Sequence, residues 1–190
     1  MIVQHEGKRL RLDGAAVLGS GGEATVFALD ASTVAKVYHQ PTPAHARKLT
    51  ALLGRKLPAA VAAPRALLHA EKGKEVVGCV LPRVPDTFSP FATLLKRSAR
   101  GPREHGAASI ADIVALLCRL SAIVSDLHAS GVVVGDLSDQ NELWAGTDVA
   151  LIDADSFQLD GEPCTVGTEA YLDPLLYDVD LAAGPRFSAA

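Results

Sequence analysis

Between Val132 and Gln158 the chain reads VVVGDLSDQNELWAGTDVALIDADSFQ, which sets Asp136, Asn141 and Asp153 in the gaps between three short apolar runs. The runs are Val132 to Val134, Leu143 with Trp144, and Val149 to Ile152, and their length and β-branched or aromatic content are those of strands. Side chains in turns between strands are the ones a rigid scaffold presents to a ligand. Two acids and an amide at one sheet edge make a set of hard oxygen donors. Such a set suits Mg²⁺, which takes one or two carboxylates together with water and substrate phosphates. The competing reading is ordinary turn chemistry, because Asp, Asn, Ser and Gly dominate loops of every function. The order of the elements upstream bears on the choice.

Met1 to Tyr38 reads as strands at Arg9 to Leu12, Ala15 to Leu18, Thr25 to Leu29 and Thr33 to Tyr38. Gly19-Ser20-Gly21-Gly22-Glu23-Ala24 falls between the second and third of these. A G-x-G-x-x-G/A pattern also opens dinucleotide-binding helices, but Thr25-Val26-Phe27-Ala28-Leu29 favours a strand, so the glycines belong to a hairpin. A hairpin with missing side chains can lie over a triphosphate, its backbone N–H groups close to the oxygens. Next, Thr42 as N-cap and Pro43 at the first helical position predict a helix to about Leu53. Arg65 to His69 and Val76 to Leu81 then pair as a hairpin and complete a sheet of about five strands. Pro82-Arg83-Val84-Pro85 breaks the pattern as a linker.

The segment from Arg97 to Gly106 is polar, basic and broken by Gly and Pro, which predicts a surface loop. Ser109 and Asp112 have the spacing of a capping box. From there Ile110, Ile113, Val114, Leu117, Leu120, Val124 and Leu127 recur at three- and four-residue steps to a stop at Gly131. That stripe is expected to be core and to hold the Asp136 stretch against the second half of the chain.

A chain of 190 residues, 48% of them hydrophobic, is long enough to bury a sizeable core as one domain or two small lobes. The formal charge of −4 lacks the basic excess of a nucleic-acid binder. Met1 to Asp13 alternates polar and apolar residues, unlike a leader or a membrane span, so the expected location is the cytoplasm with no membrane partner. Cys79, Cys118 and Cys164 are far apart without a C-x-x-C pair, which speaks against zinc and for reduced thiols. His128, near the expected helix end, suits a structural role beside the negative pole of the dipole.

Asp136-Leu137-x-x-x-Asn141 followed by a strand ending Ile152-Asp153 resembles the catalytic loop and metal-binding turn of the protein-kinase-like superfamily. Within it, the chain resembles bacterial kinases of the eukaryotic-like Ser/Thr group. The glycine hairpin, the strand Thr33-Val34-Ala35-Lys36 and the segment Gly167-Thr168-x-x-Tyr171-x-x-Pro174 follow the family's order. The resemblance implies an α+β, two-lobed fold. A small antiparallel sheet lobe with one helix would occupy 1–82, a hinge 83–85, and a mainly helical, incomplete second lobe 86–190. It implies ATP and Mg²⁺ as cofactors. Gly19, Gly21 and Gly22 would cover the triphosphate, Val26 and Ala35 would line the nucleotide, and Lys36 would reach the α- and β-phosphates. Main-chain groups of Arg83 and Val84 would hold adenine. Asp136 would take the proton of the attacking hydroxyl, Asn141 would hold one Mg²⁺, Asp153 would bridge metal to the β- and γ-phosphates, and Asp155 would share the metal.

The implied activity is phosphoryl transfer to a hydroxyl, Ser or Thr of a protein substrate first, a small molecule second. A nucleotide-binding scaffold that transfers nothing is the third reading. The departures from the family are specific. Val134-Gly135 stands for His-Arg, Ser138 for Lys, Ala154-Asp155 for Phe-Gly, and Asp173-Pro174-Leu175 for Ala-Pro-Glu. No Asp or Glu occurs between Val37 and Ala70, where the family's first helix carries a Glu; by position Thr50 falls there. Family members continue with further helices, so the stripe from Ile110 to Leu127 is expected either to drive self-association or to be covered by a further C-terminal segment. Thr165, Thr168 and Tyr171 read equally as phosphorylation sites or as turn polarity.

Overall fold

The computed structural model describes residues 1–95, 108–184 and 187–188, and the expected loop from Arg97 to Gly106 lies outside them. The chain forms two compact units, one of Met1–Arg55 with Ala62–Val84, the other of Lys56–Val61 with Pro85–Ala190. The second unit thus takes a short segment from inside the N-terminal stretch. Leu151 N–H donates to Ala60 C=O at 2.8 Å, and Val61 bridges Leu151 in parallel.

The first unit is a seven-stranded antiparallel sheet with one helix. Its strands are β1 (Ile2–His5), β2 (Lys8–Arg11), β3 (Val17–Ser20), β4 (Ala24–Ala28), β5 (Thr33–Tyr38), β6 (Ala66–Ala70) and β7 (Val76–Pro82), in the order β2-β1-β6-β7-β5-β4-β3. The sequence pattern missed β1, a strand of four residues that turns into β2 through Glu6 and Gly7, both at positive φ. Its register opposite Ala70, His69 and Leu68 carries the sheet past the expected five strands. The glycine strand also begins two residues later than expected, at Val17.

Alternation along β5 divides the unit's core in two. Ala35 and Val37 point to one side, into a cluster with Val3, Leu12, Leu68 and Val80. Val34 and Tyr38 point to the other, where they meet Cys79, Leu81 and Leu49 of α1 (Pro43–Leu53). Helix α1 starts as expected: Thr42 accepts from His45 N–H at 3.2 Å, and Pro43 opens the first turn. The second half of the capping box comes from His45, whose Nδ1 accepts from Thr42 N–H, in place of the usual acid.

In the second unit β8 (Ser89–Pro90), β10 (Glu142–Ala145) and β11 (Asp148–Leu151) form a small sheet in the order β11-β10-β8. A second ladder pairs β9 (Val132–Val133) with β12 (Gln158–Leu159). One turn of helix, α2 (Ala92–Leu95), follows β8, and Trp144 Nε1 donates to Thr93 Oγ1 at 2.9 Å to tie the two together. The long helix α3 (Ile110–Ala129) has the capping box expected of Ser109 and Asp112. Its stripe is not all core. Leu116, Ile123 and Leu127 are buried, whereas Ile110, Val114 and Leu117 are exposed, because α3 packs on β9 and β11 through one narrow line of side chains. Among the described residues no helix is long and apolar enough to cross a membrane.

One glycine is required by the packing of the first unit. A Cβ on Gly78 would collide with the carbonyl of Lys36 on the neighbouring strand, and neither backbone can yield without breaking the β5–β7 ladder. Gly78→Ala should therefore lower stability by about 2–3 kcal/mol, at the upper end of overpacking costs. Urea unfolding of the variant beside wild type measures it, and an unchanged midpoint would show that the ladder can absorb the methyl group.

Candidate active site

The loop from Asp136 to Asn141 joins β9 to β10, and short backbone bonds set its shape. Asn141 N–H and Glu142 N–H both donate to Ser138 C=O, at 2.9 and 3.2 Å, while Ala92 N–H donates to Asp139 C=O at 2.8 Å. The carboxylate of Asp136 is held on both oxygens. Oδ1 accepts from the N–H and the hydroxyl of Thr168, at 2.8 and 2.9 Å, and Oδ2 accepts from Asn141 Nδ2 at 3.2 Å. Thr168, carried in the Gly167-Thr168 pair, is thus the direct partner of Asp136, a role that turn polarity alone did not reveal.

Asp153 follows β11 at φ 63°, ψ 35°, a left-handed conformation uncommon for a residue with a Cβ. Its carbonyl accepts from Ser156 N–H and Ser156 Oγ, at 2.9 and 2.8 Å, and these bonds lock the turn. Ile152 N–H donates to Asn141 C=O at 3.0 Å, which sets Asp153 one residue beyond the end of the loop. Backbone pairing thus brings Asn141 next to the residue before Asp153, and the Asn141 side chain links that point to Asp136. Asp155 lies in the one-turn helix Ala154–Ser156 that follows.

Gly135 stands where the resemblance would place an Arg, and its surroundings leave no room for a side chain. A Cβ there would lie 2.6 Å from Cys164 Sγ and 2.8 Å from the ring of Phe187. Cys164 is buried and hydrogen-bonded to Val166 C=O, and Phe187 is pinned by a reciprocal pair with the Gln158 amide at 2.6 and 3.1 Å. The volume beside Asp136 is already filled from within the unit.

In the first unit the expected nucleotide residues divide. Lys36 is 8% exposed, with Nζ 5.8 Å from the centroid of the Tyr38 ring, which itself stacks on His45 at 4.1 Å. Val26 is directly opposite Lys36 on β4 and shares its face. Ala35 does not: the two-residue period of a strand turns it to the far side, fully buried against Val3 and Leu68, so Val34 is the small apolar neighbour on the Lys36 face. At the linker Arg83 N–H is committed to Ser32 C=O at 2.8 Å and is not open to adenine; Val84 follows it, half-buried.

Gly19, Gly21 and Gly22 have open space where side chains would be. A histidine absent from the sequence-based reading ties this hairpin down. His39 Nδ1 meets Gly22 C=O at 3.1 Å and Nε2 meets Thr25 Oγ1 at 2.9 Å. Thr50, the residue placed by position at the acid site of α1, is exposed and donates to Ala46 C=O. The charged residue on the buried face of α1 is instead Lys48, at 8% exposure.

Glu142, at the start of β10, was also missed, although an acid beside Leu143 and Trp144 is an unusual start to a buried strand. It is 4% exposed, and its Oε1 accepts from Ser138 N–H at 3.0 Å. Burial pushes its carboxyl up to about 7; the Ser138 bond opposes this, and the charges of Asp136 and Asp139 add to it. The folded state then holds a proton that the unfolded chain releases, so stability is full below the ordinary carboxylate range and declines as pH rises toward 7. Wild type should lose more melting temperature between about pH 5 and pH 8 than Glu142→Gln, which keeps the acceptor and removes the titration. Parallel melting curves test this, and equal losses would put the charge of Glu142 in contact with water.

No family model matches the chain. Protein kinase YegI of Escherichia coli K12 is 32% identical over 172 aligned residues, which cover 84% of this chain, and the O157:H7 counterpart gives the same figures. The chain spans about a quarter of the length of these relatives, 26%. Among solved structures, the ROP18 kinase domain in complex with AMP-PNP and sucrose matches with a TM-score of 0.54 over 82% of this chain and 54% of that one, at 16% identity, a likeness of fold. The sheet unit with its glycine hairpin and buried strand lysine, the Asp136–Asn141 loop held by Thr168, and these likenesses agree, and the chain belongs to the protein-kinase-like superfamily.

Proposed function

We propose that the chain transfers a phosphoryl group from ATP to a hydroxyl, with Ser or Thr of a protein as acceptor. The observation that carries this reading is the state of Asp136, a carboxylate oriented on both oxygens by Thr168 and Asn141. A general base must be aimed before it can act, and three bonds to one carboxylate fix its direction while leaving one acceptor site, on Oδ2, for a substrate hydroxyl. The first unit would bind the nucleotide through the Gly19–Gly22 hairpin, Val26, Val34 and Lys36. The three free thiols, two of them buried, are in keeping with a cytoplasmic location.

The donor set fits Mg²⁺. Asn141 spends its Nδ2 on Asp136 and keeps its amide oxygen as a hard donor, and Asp153 adds a carboxylate one residue beyond the backbone bond that joins them. Bound there, the ion would neutralise charge on the transferring phosphates. Asp153 would hold it, Asn141 would complete its coordination, and Asp155 stands close enough in sequence to share it. Asp136 would receive the acceptor's proton, and Thr168 would keep its carboxylate from rotating away.

One observation favours the reading in which nucleotide is bound and nothing transferred: α1 buries Lys48 and carries no acid to pair with Lys36. The two readings separate on Asp136→Asn. Under phosphoryl transfer this variant loses on the order of 10²- to 10⁴-fold in rate and keeps its affinity for ATP, because the residue acts on the acceptor. Labelled ATP with protein and small-molecule hydroxyl acceptors gives the rate, and calorimetry the affinity. Equal and negligible transfer by both proteins, with ATP bound, would leave the scaffold reading.

The metal assignment has its own test. Asp153→Ala should weaken Mg·ATP binding by about tenfold or more and leave Mg-free nucleotide binding nearly unchanged, since the carboxylate acts through the ion. Asp155→Ala should do less. Titrations with and without Mg²⁺ decide, and a larger effect at Asp155 would exchange the two roles.

A further inference from the structure

The tip of the glycine hairpin is not held by apolar packing. Strand β3 is the outermost strand of the sheet, and all four of its residues are exposed, Val17 and Leu18 among them. Gly19, Gly21 and Gly22 give this backbone the widest conformational freedom a chain can have. What crosses the tip is a line of polar contacts that ends on one residue. His39, next after β5, donates its backbone N–H to Glu23 C=O at 2.8 Å, while its ring reaches Gly22 C=O through Nδ1 at 3.1 Å and Thr25 Oγ1 through Nε2 at 2.9 Å. Thr25 Oγ1 in turn meets Ser20 Oγ at 3.1 Å. One residue thereby ties down both strands of the hairpin and two successive carbonyls of its tip.

The chemistry of these groups fixes the direction of each bond. A carbonyl only accepts, so Nδ1 carries the proton; Nε2 of the neutral ring is then an acceptor, Thr25 donates to it, and the Thr25 oxygen accepts from Ser20. No peptide among the described residues is cis, and the C=O and N–H of one trans peptide point opposite ways. Holding Gly22 C=O on the imidazole therefore turns the Glu23 N–H away from it. The N–H groups of Gly22 and Glu23 donate to no acceptor among the described residues, and successive N–H groups in a turn can cradle an anion. We propose that His39 is a positioning residue of the nucleotide site, locking the glycine tip so that these two N–H groups are set for phosphate oxygens before the nucleotide arrives, a role that depends on this hairpin being the triphosphate site. Donors oriented in advance spare the cost of ordering a glycine turn on binding.

The test is calorimetric titration of the full chain with ATP and, separately, with adenosine, which lacks the phosphates. His39 is exposed, so its substitution removes nothing from the core. His39→Ala should weaken ATP binding by about tenfold and leave adenosine binding within about twofold, since the hairpin acts on the phosphates alone. His39→Gln, whose amide has a donor and an acceptor, should recover most of the loss. Thr25→Val should cost part of it, and His39→Ala with Thr25→Val should cost no more than His39→Ala alone, because both act through one line of bonds. Long-range ¹⁵N–¹H spectra at alkaline pH should show the His39 proton on Nδ1. If wild type binds both ligands and His39→Ala keeps its ATP affinity, or loses ATP and adenosine alike, the role of His39 is overturned while the nucleotide reading stands; a proton on Nε2 has the same result. If wild type binds neither ligand, the nucleotide reading fails and this assignment fails with it.

Discussion

The second unit depends on the orientation of one carboxylate. Asp136 sits in the connection from Val134 to Asn141, which has no regular structure of its own, and a carboxylate there would rotate freely unless fixed from outside. Thr168 fixes one oxygen with two donors, and Asn141 fixes the other. The consequences run outward. Thr168 can reach Asp136 only if the segment from Cys164 to Gly167 passes close under the loop, and that path requires Gly135 to have no side chain. The β9–β12 ladder, with Gln158 opposite Val133, supplies the rigid base from which both strands of this arrangement depart.

In the first unit the governing constraint is the two-residue period of β5. It sends Lys36 and Tyr38 to the side covered by α1 and Ala35 to the other, and every neighbour of Lys36 follows from that choice: Val26 across one ladder, Cys79 across the other, Leu49 above. The helix that covers this face buries a second lysine, Lys48, and stacks His45 on Tyr38. The chemical character of the face is cationic and aromatic, which is a different solution from an acid on the helix.

Much of this was legible in the sequence. The strands β4, β5, β6 and β7, both helix N-caps and the loop from Asp136 to Asn141 carry local signals strong enough to place them: β-branched runs, a Ser or Thr followed three residues later by a partner, Pro at a first turn. What was not legible depends on contacts distant in the chain. Strand β1 is short and gains its place by pairing with β6, more than sixty residues away. Ala35 was assigned to the nucleotide because it adjoins Lys36 in a motif, but adjacent strand residues face opposite ways. The apolar stripe on α3 was read as core because periodicity reports an apolar face and says nothing of what covers it; Ile110 and Val114 have the pattern without the cover. Glu142, His39 and Lys48 have no motif at all, and their roles appear only when burial and partners are known.

The packing around Gly135 has a consequence for how substitutions combine in this chain. Gly135, Cys164 and Phe187 share one small volume, and Gln158 holds the last of them in place. An arginine introduced at 135, the residue the wider family uses, cannot be accommodated by a change at that position alone; Cys164 and Phe187 would have to become smaller or leave. The reverse also holds, since a smaller residue at 164 would open a void next to Asp136 that a glycine cannot fill. The three positions form a single unit of inheritance, so that related sequences should carry either this whole set or a different whole set, and mixtures of the two should be rare.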